Sequence, residues 1–134
     1  MDEIEKNPVD WLTPIEHHFD AKGSGGQDFY YIIQTILDEK RLTFKKILEN
    51  AAVGCGCVVH EGLYYSLDQD WEDPRLFDEV VFFLGDYESS TLAIKDYFYL
   101  LQIAIDGYIP TSPEDKEDIL KNFNIALERY RHLL

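Results

Sequence analysis

The apolar residues of this chain change period twice, and that change limits the fold more than any other feature. Between residues 29 and 51 they recur at helical spacing: Phe29, Ile32, Ile33, Ile36 and Leu37, then Phe44, Ile47, Leu48 and Ala51. Asp28 stands near the start of the first stripe and Lys40-Arg41 at its end, where the helix dipole favours cations; Thr43 is placed to cap the second helix. Gly54 and Gly56 stop the helical pattern. Cys55–His60 and Leu63–Leu67 then flank Glu61-Gly62 as two strands flank a hairpin turn. Glu79–Leu84 is a continuous apolar run after one acid, as expected of a strand covered on both faces, and Ser90–Ala93 returns beside it after a turn at Gly85–Ser89. Ile94–Ile109 is helical again and apolar round most of its circumference. Pro110 ends it. Ser112 as cap, Pro113 at the first helical position and Asp115 at the third announce a last helix, with Ile119, Phe123, Ala126, Leu127 and Tyr130 on its buried stripe. The expected fold is α+β: a small antiparallel sheet of three to four strands packed with about four helices.

Residues 1–134 read as a single domain. Within it, residues 1–28 are expected to be an irregular lead-in holding Pro8 and Pro14 and ending in a flexible loop, Gly23-Ser24-Gly25-Gly26. An apolar share of 46%, with 14% aromatic, supplies a core that needs neither disulfide nor metal. No stretch approaches the length of a membrane span. Met1-Asp2-Glu3-Ile4-Glu5 is acidic where a signal peptide is basic, and two cysteines make no disulfide framework, so a cytoplasmic location is expected.

The net charge of −14 is unevenly distributed. Residues 61–88 hold nine acids and one base, Arg75, so more than half the net charge sits in about a fifth of the chain. Phosphate contacts need clustered Lys and Arg, which disfavours a nucleic-acid-binding role, and an anionic membrane surface would repel such a chain. A cationic partner is the natural complement. The same stretch carries aromatic residues: Tyr64, Tyr65, Trp71, Phe77 and Tyr87. Tyr64, Phe77, Phe82 and Phe83 are expected in the core, whereas Trp71, between Asp70 and Glu72 in an acidic loop spanning residues 68–77, is expected to be exposed.

Other chemistry is weaker. Cys55, Cys57 and His60 could supply three zinc ligands, but one C-x-C without a second pair is a poor zinc signature, and two small residues packed on a sheet is the plainer reading. A nucleophilic thiol on the same residues would need a positive surrounding, and this one is negative. Paired acids such as Asp68/Asp70 or Glu72/Asp73 suit general acid–base work only across a cleft with one pKa raised. No phosphate cradle, G-x-S-x-G or H-E-x-x-H occurs. Neither an enzyme nor a cofactor is implied.

Residues 79–109, Glu-Val-Val-Phe-Phe-Leu-Gly-Asp-Tyr-Glu-Ser-Ser-Thr-Leu-Ala-Ile-Lys-Asp-Tyr-Phe-Tyr-Leu-Leu-Gln-Ile-Ala-Ile-Asp-Gly-Tyr-Ile, carry a resemblance over about a quarter of the chain. A hydrophobic strand, an acidic turn, a short Ser/Thr-bearing strand and an aromatic helix ending in Tyr108-Ile109 together resemble the immunity proteins of bacterial contact-dependent growth inhibition systems, particularly those that neutralise ribonuclease toxins. The resemblance implies a non-enzymatic cytoplasmic protein that binds a cognate basic toxin domain, one to one, and covers its active site or RNA surface. Toxin-contacting residues in such proteins vary with the partner, so none is carried over. Charge and aromatic content alone nominate Asp68, Asp70, Trp71, Glu72 and Asp73, helped by Asp86, Tyr87 and Glu88, with Trp71 as anchor. The competing expectations are an acidic nucleic-acid mimic that inhibits some other enzyme, a small zinc-binding regulator, and a small hydrolase.

Overall fold

The computed structural model describes residues 11–85 and 87–134, so the first ten residues of the expected lead-in, and Asp86, lie outside the described residues. A short helix α1 (Glu16–Asp20) leads into α2 (Gly23–Asp38), α3 (Phe44–Ala52), strands β1 (Val58–His60) and β2 (Leu63–Ser66), then β3 (Glu79–Leu84) and β4 (Tyr87–Ala93), and finally α4 (Ile94–Tyr108) and α5 (Lys116–Arg129). The strands form one antiparallel sheet in the order β1-β2-β3-β4. The α+β architecture expected from the change of period is the one observed.

Several local signals act as their residue types dictate. Thr43 Oγ1 accepts from Lys46 N at 3.1 Å and so satisfies one of the open donors at the start of α3. Gly62, at φ +83°, takes the left-handed turn between β1 and β2. Pro113 begins a tight 3-10 turn ahead of α5, but Ser112 makes no side-chain cap. Asp115 instead accepts from the Tyr108 hydroxyl at 2.6 Å, tying α4 to the approach of α5.

The glycine run departs from expectation. It is not a loop but the first turn of α2, and residues 11–22 before it are ordered as a 3-10 turn and α1. The cause is close approach rather than flexibility. A Cβ on Gly25 would stand 2.1 Å from the Thr91 carbonyl oxygen of β4, and one on Gly26 would stand 2.0 Å from that of Phe19 in α1. Side chains at these positions would push α2 off both neighbours. The helix start thus lies against the outer strand β4, covering an edge that would otherwise invite pairing.

One face of the sheet meets α2 and α4, while α3 and α5 pack on each other. Phe29 of α2 is the centre of that junction, stacked on Tyr97 of α4 with ring centres 5.1 Å apart and in edge contact with Tyr65 of β2. The Tyr65 and Tyr97 hydroxyls meet at 3.3 Å, and the Cys57 thiol meets Tyr65 at the same distance, so the buried polar atoms satisfy one another. Burial raises both tyrosines above their ordinary range. The opposite face is different, and it holds the site.

Candidate functional site: an acid-rimmed aromatic groove

Strand alternation assigns Tyr65, Val80 and Phe82 to the helix-covered face and Tyr64, Ser66, Val81 and Phe83 to the other. On that outer face Tyr64 and Phe83, paired across β2 and β3, stack with ring centres 4.6 Å apart and planes 14° apart. They form one wall of a groove of about 370 Å³ whose lining includes no residue of the five α-helices. Trp71, from the loop after β2, forms part of the lining. Its indole N–H donates to Ser66 Oγ at 3.1 Å and its ring meets Phe77 edge-on, which holds the indole at the border of the sheet. Ser66 is buried to 5% exposure.

Three carboxylates complete the lining: Asp70, Glu79 and Glu88. Asp70 Oδ2 accepts from Gly56 N at 2.7 Å and Leu67 N at 2.9 Å, which fixes the side chain and leaves Oδ1 without a donor among the described residues. Glu79 opens β3 and shares the side of Val81 and Phe83. Glu88 owes its place to a bulge. Phe82 pairs with Ser90 but Phe83 pairs with Glu88, so Ser89 is an extra residue that turns Glu88 onto the outer face. The bulge is fastened from α2, where Asp28 Oδ2 accepts from Ser89 and Ser90 hydroxyls at 2.7 and 2.5 Å. Among the described residues no cation pairs with Glu79 or Glu88, and no Lys, Arg or His lines the groove.

The nominated residues divide accordingly. Asp70, Trp71 and Glu88 come together in the groove, although Trp71 is half-buried rather than exposed. Asp68 is turned inward, against expectation. Arg129 grips it with two hydrogen bonds at 3.1 and 2.8 Å and the Tyr130 hydroxyl donates a third at 2.5 Å. Burial pushes this carboxyl up, but the bonds from Arg129, Tyr130 and Gln69 outweigh it and hold the pKa down to about 2. Asp73 is also engaged: it accepts from the backbone and guanidinium of Arg75, which lowers its pKa. Glu72 is exposed with no cation partner among the described residues, and it does not line the groove. Tyr87 is 79% exposed, yet it pairs with Leu84 and so shares the helix side of the sheet. Asp86 lies outside the described residues.

Charge and aromatic content did not point to five groove residues: Tyr64, Ser66, Glu79, Val81 and Phe83. A β3 covered on both faces hides Glu79, Val81 and Phe83, and Tyr64 of β2 was likewise expected in the core. Their signal was the alternation Glu79-Val81-Phe83 opposite Tyr64-Ser66. The cysteines play another part. Cys57 is buried, bonded to Tyr65 and to Asn50, and desolvation pushes its thiol up to about 11, opposing both thiolate chemistry and metal ligation. His60 is exposed and its Nδ1 lies 3.1 Å from the Glu61 carbonyl; among the described residues no three His, Cys, Asp or Glu converge as a metal site would require.

Comparison with protein-family models, curated proteins and solved structures finds no match to this chain. Among the described residues no helix is long and apolar enough to cross a membrane.

Proposed function

We propose that the protein is an immunity-type inhibitor that binds the cationic surface of a ribonuclease toxin domain through the outer face of its sheet. The observation that carries this reading is the groove: carboxylates from the loop, β3 and β4 meet a wall of aromatic rings, and no cation among the described residues lines it. A ribonuclease must present positive charge to hold RNA, and an acidic surface with aromatic anchors complements such a surface in charge and in buried area. The net charge of −14 adds a long-range field that speeds encounter with a basic partner at low salt.

Co-expression is the test. A ribonuclease toxin domain, taken first from any open reading frame immediately upstream, is expressed in sensitive cells with or without this protein. The reading expects rescue of growth and a complex that survives purification and dissociates with rising salt. Growth arrest despite full expression of this protein, with no complex formed, overturns it.

A further inference from the structure

We infer that the groove is a guanidinium-binding site that takes a single arginine side chain of the partner; the inference deepens the proposed function and rests on it for the partner's identity. Its volume, about 370 Å³, lies at the small end of the ligand-pocket range of about 300–1,000 Å³ and admits an arginine side chain. The walls select the chemistry. Tyr64 and Phe83 present flat rings, and Trp71 is held in place by Ser66. A planar cation gains by stacking on such surfaces. Glu79, Glu88 and the Oδ1 of Asp70, which has no donor among the described residues, supply acceptors in the groove lining for the in-plane N–H groups of a stacked guanidinium. Ammonium fits less well: it is compact and strongly hydrated, and it loses more water on entering a half-apolar groove.

Asp28 is the positioning residue of this site. By holding Ser89 and Ser90 it keeps the bulge that turns Glu88 onto the groove side. Asp28 itself does not line the groove.

The probe is Nα-acetyl-arginine amide, titrated into the full, 15N-labelled chain, with the lysine and citrulline analogues as controls. The arginine derivative is expected to shift the Trp71 indole signal and the Tyr64, Phe83 and Glu88 amides along one saturating curve, leaving the Trp11 indole in place. Citrulline, the neutral isostere, should shift none of them, and lysine should bind about tenfold more weakly, the size of one favourable stacking contact. Glu79→Gln with Glu88→Gln should abolish saturation, and Asp28→Ala should weaken it while the Trp71–Ser66 contact persists. Equal shifts from citrulline or lysine, or unsaturating shifts spread over the whole acidic surface, overturn the inference. If the toxin domain co-purifies but the arginine derivative does not bind, the groove assignment falls and the proposed function stands. If the derivative binds and no toxin complex forms, the reverse holds.

Discussion

The two sides of the acidic loop, only a few residues apart, treat their carboxylates in opposite ways. Towards α5, Asp68 is gripped by Arg129 and Tyr130, and Asp73 by Arg75; Arg75, Arg129 and His132 line a cavity of about 270 Å³ there together with Asp68. Towards the outer face of the sheet, Glu79 and Glu88 stand beside stacked aromatic rings with no cation from the described residues. Compensated acids hold a fold together. Uncompensated acids crowded on one face raise its free energy through repulsion, and a chain that keeps them there is left able to gain by binding a cation.

The largest effect expected on the compensated side comes from Gly54→Ala. Gly54 sits at φ +84°, and its Cβ would fall 2.5 Å from the Arg129 guanidinium and 2.6 Å from Asp68 Oδ1. Backbone strain and a displaced ion pair together should cost about 2–3 kcal/mol in urea-unfolding experiments. Asp68→Asn should cost somewhat less, about 2 kcal/mol, because an amide N–H then faces the donors of Arg129. Neither variant should change the arginine-derivative titration of the folded protein. A loss of groove binding in Asp68→Asn would erase the distinction between the two sides.

Acid titration gives a smaller effect. Asp68 is held at about 2 in the folded protein against about 4 when unfolded, so its contribution is complete above about pH 4. It is lost as pH falls towards 2, by about 1–2 kcal/mol after allowance for partial solvent screening. Stability curves of wild type and Asp68→Asn should therefore converge over that window and run parallel above it. Glu79→Gln with Glu88→Gln should be the mildest in stability, within about 0.5 kcal/mol of wild type or slightly more stable, since these acids make no ion pair among the described residues. A loss of 2 kcal/mol or more would show that they are structural and would break the contrast.

What was legible in the sequence follows the range of the interactions. Thr43 capping α3, the Glu61-Gly62 turn and the apolar circumference of Ile94–Tyr108 depend on neighbours a few residues away, and each was readable. Gly25 and Gly26 were not, because their constraint is the backbone of β4 and α1 rather than any local conformational need. Asp68 looked like an exposed acid because its partner lies 61 residues further along the chain. Glu88 depended on a one-residue bulge at Ser89, and a slip of one residue exchanges the two faces of a strand. The groove was thus half visible: Asp70 and Glu88 stood out as charge, while Glu79 did not and the aromatic pair Tyr64 and Phe83 passed for core.

The most direct measurement compares two charge reversals of equal size by titrating each variant into the proposed partner, a ribonuclease toxin domain, at fixed ionic strength. Glu79→Lys/Glu88→Lys places two cations in the groove, whereas Glu114→Lys/Glu117→Lys makes the same change in net charge on exposed positions just before and at the start of α5. The account predicts that the groove pair weakens toxin binding by about a hundredfold or more while the α5 pair changes it by less than about threefold. Equal weakening by the two pairs would mean that the toxin senses only total charge, and the groove would have no special part in recognition.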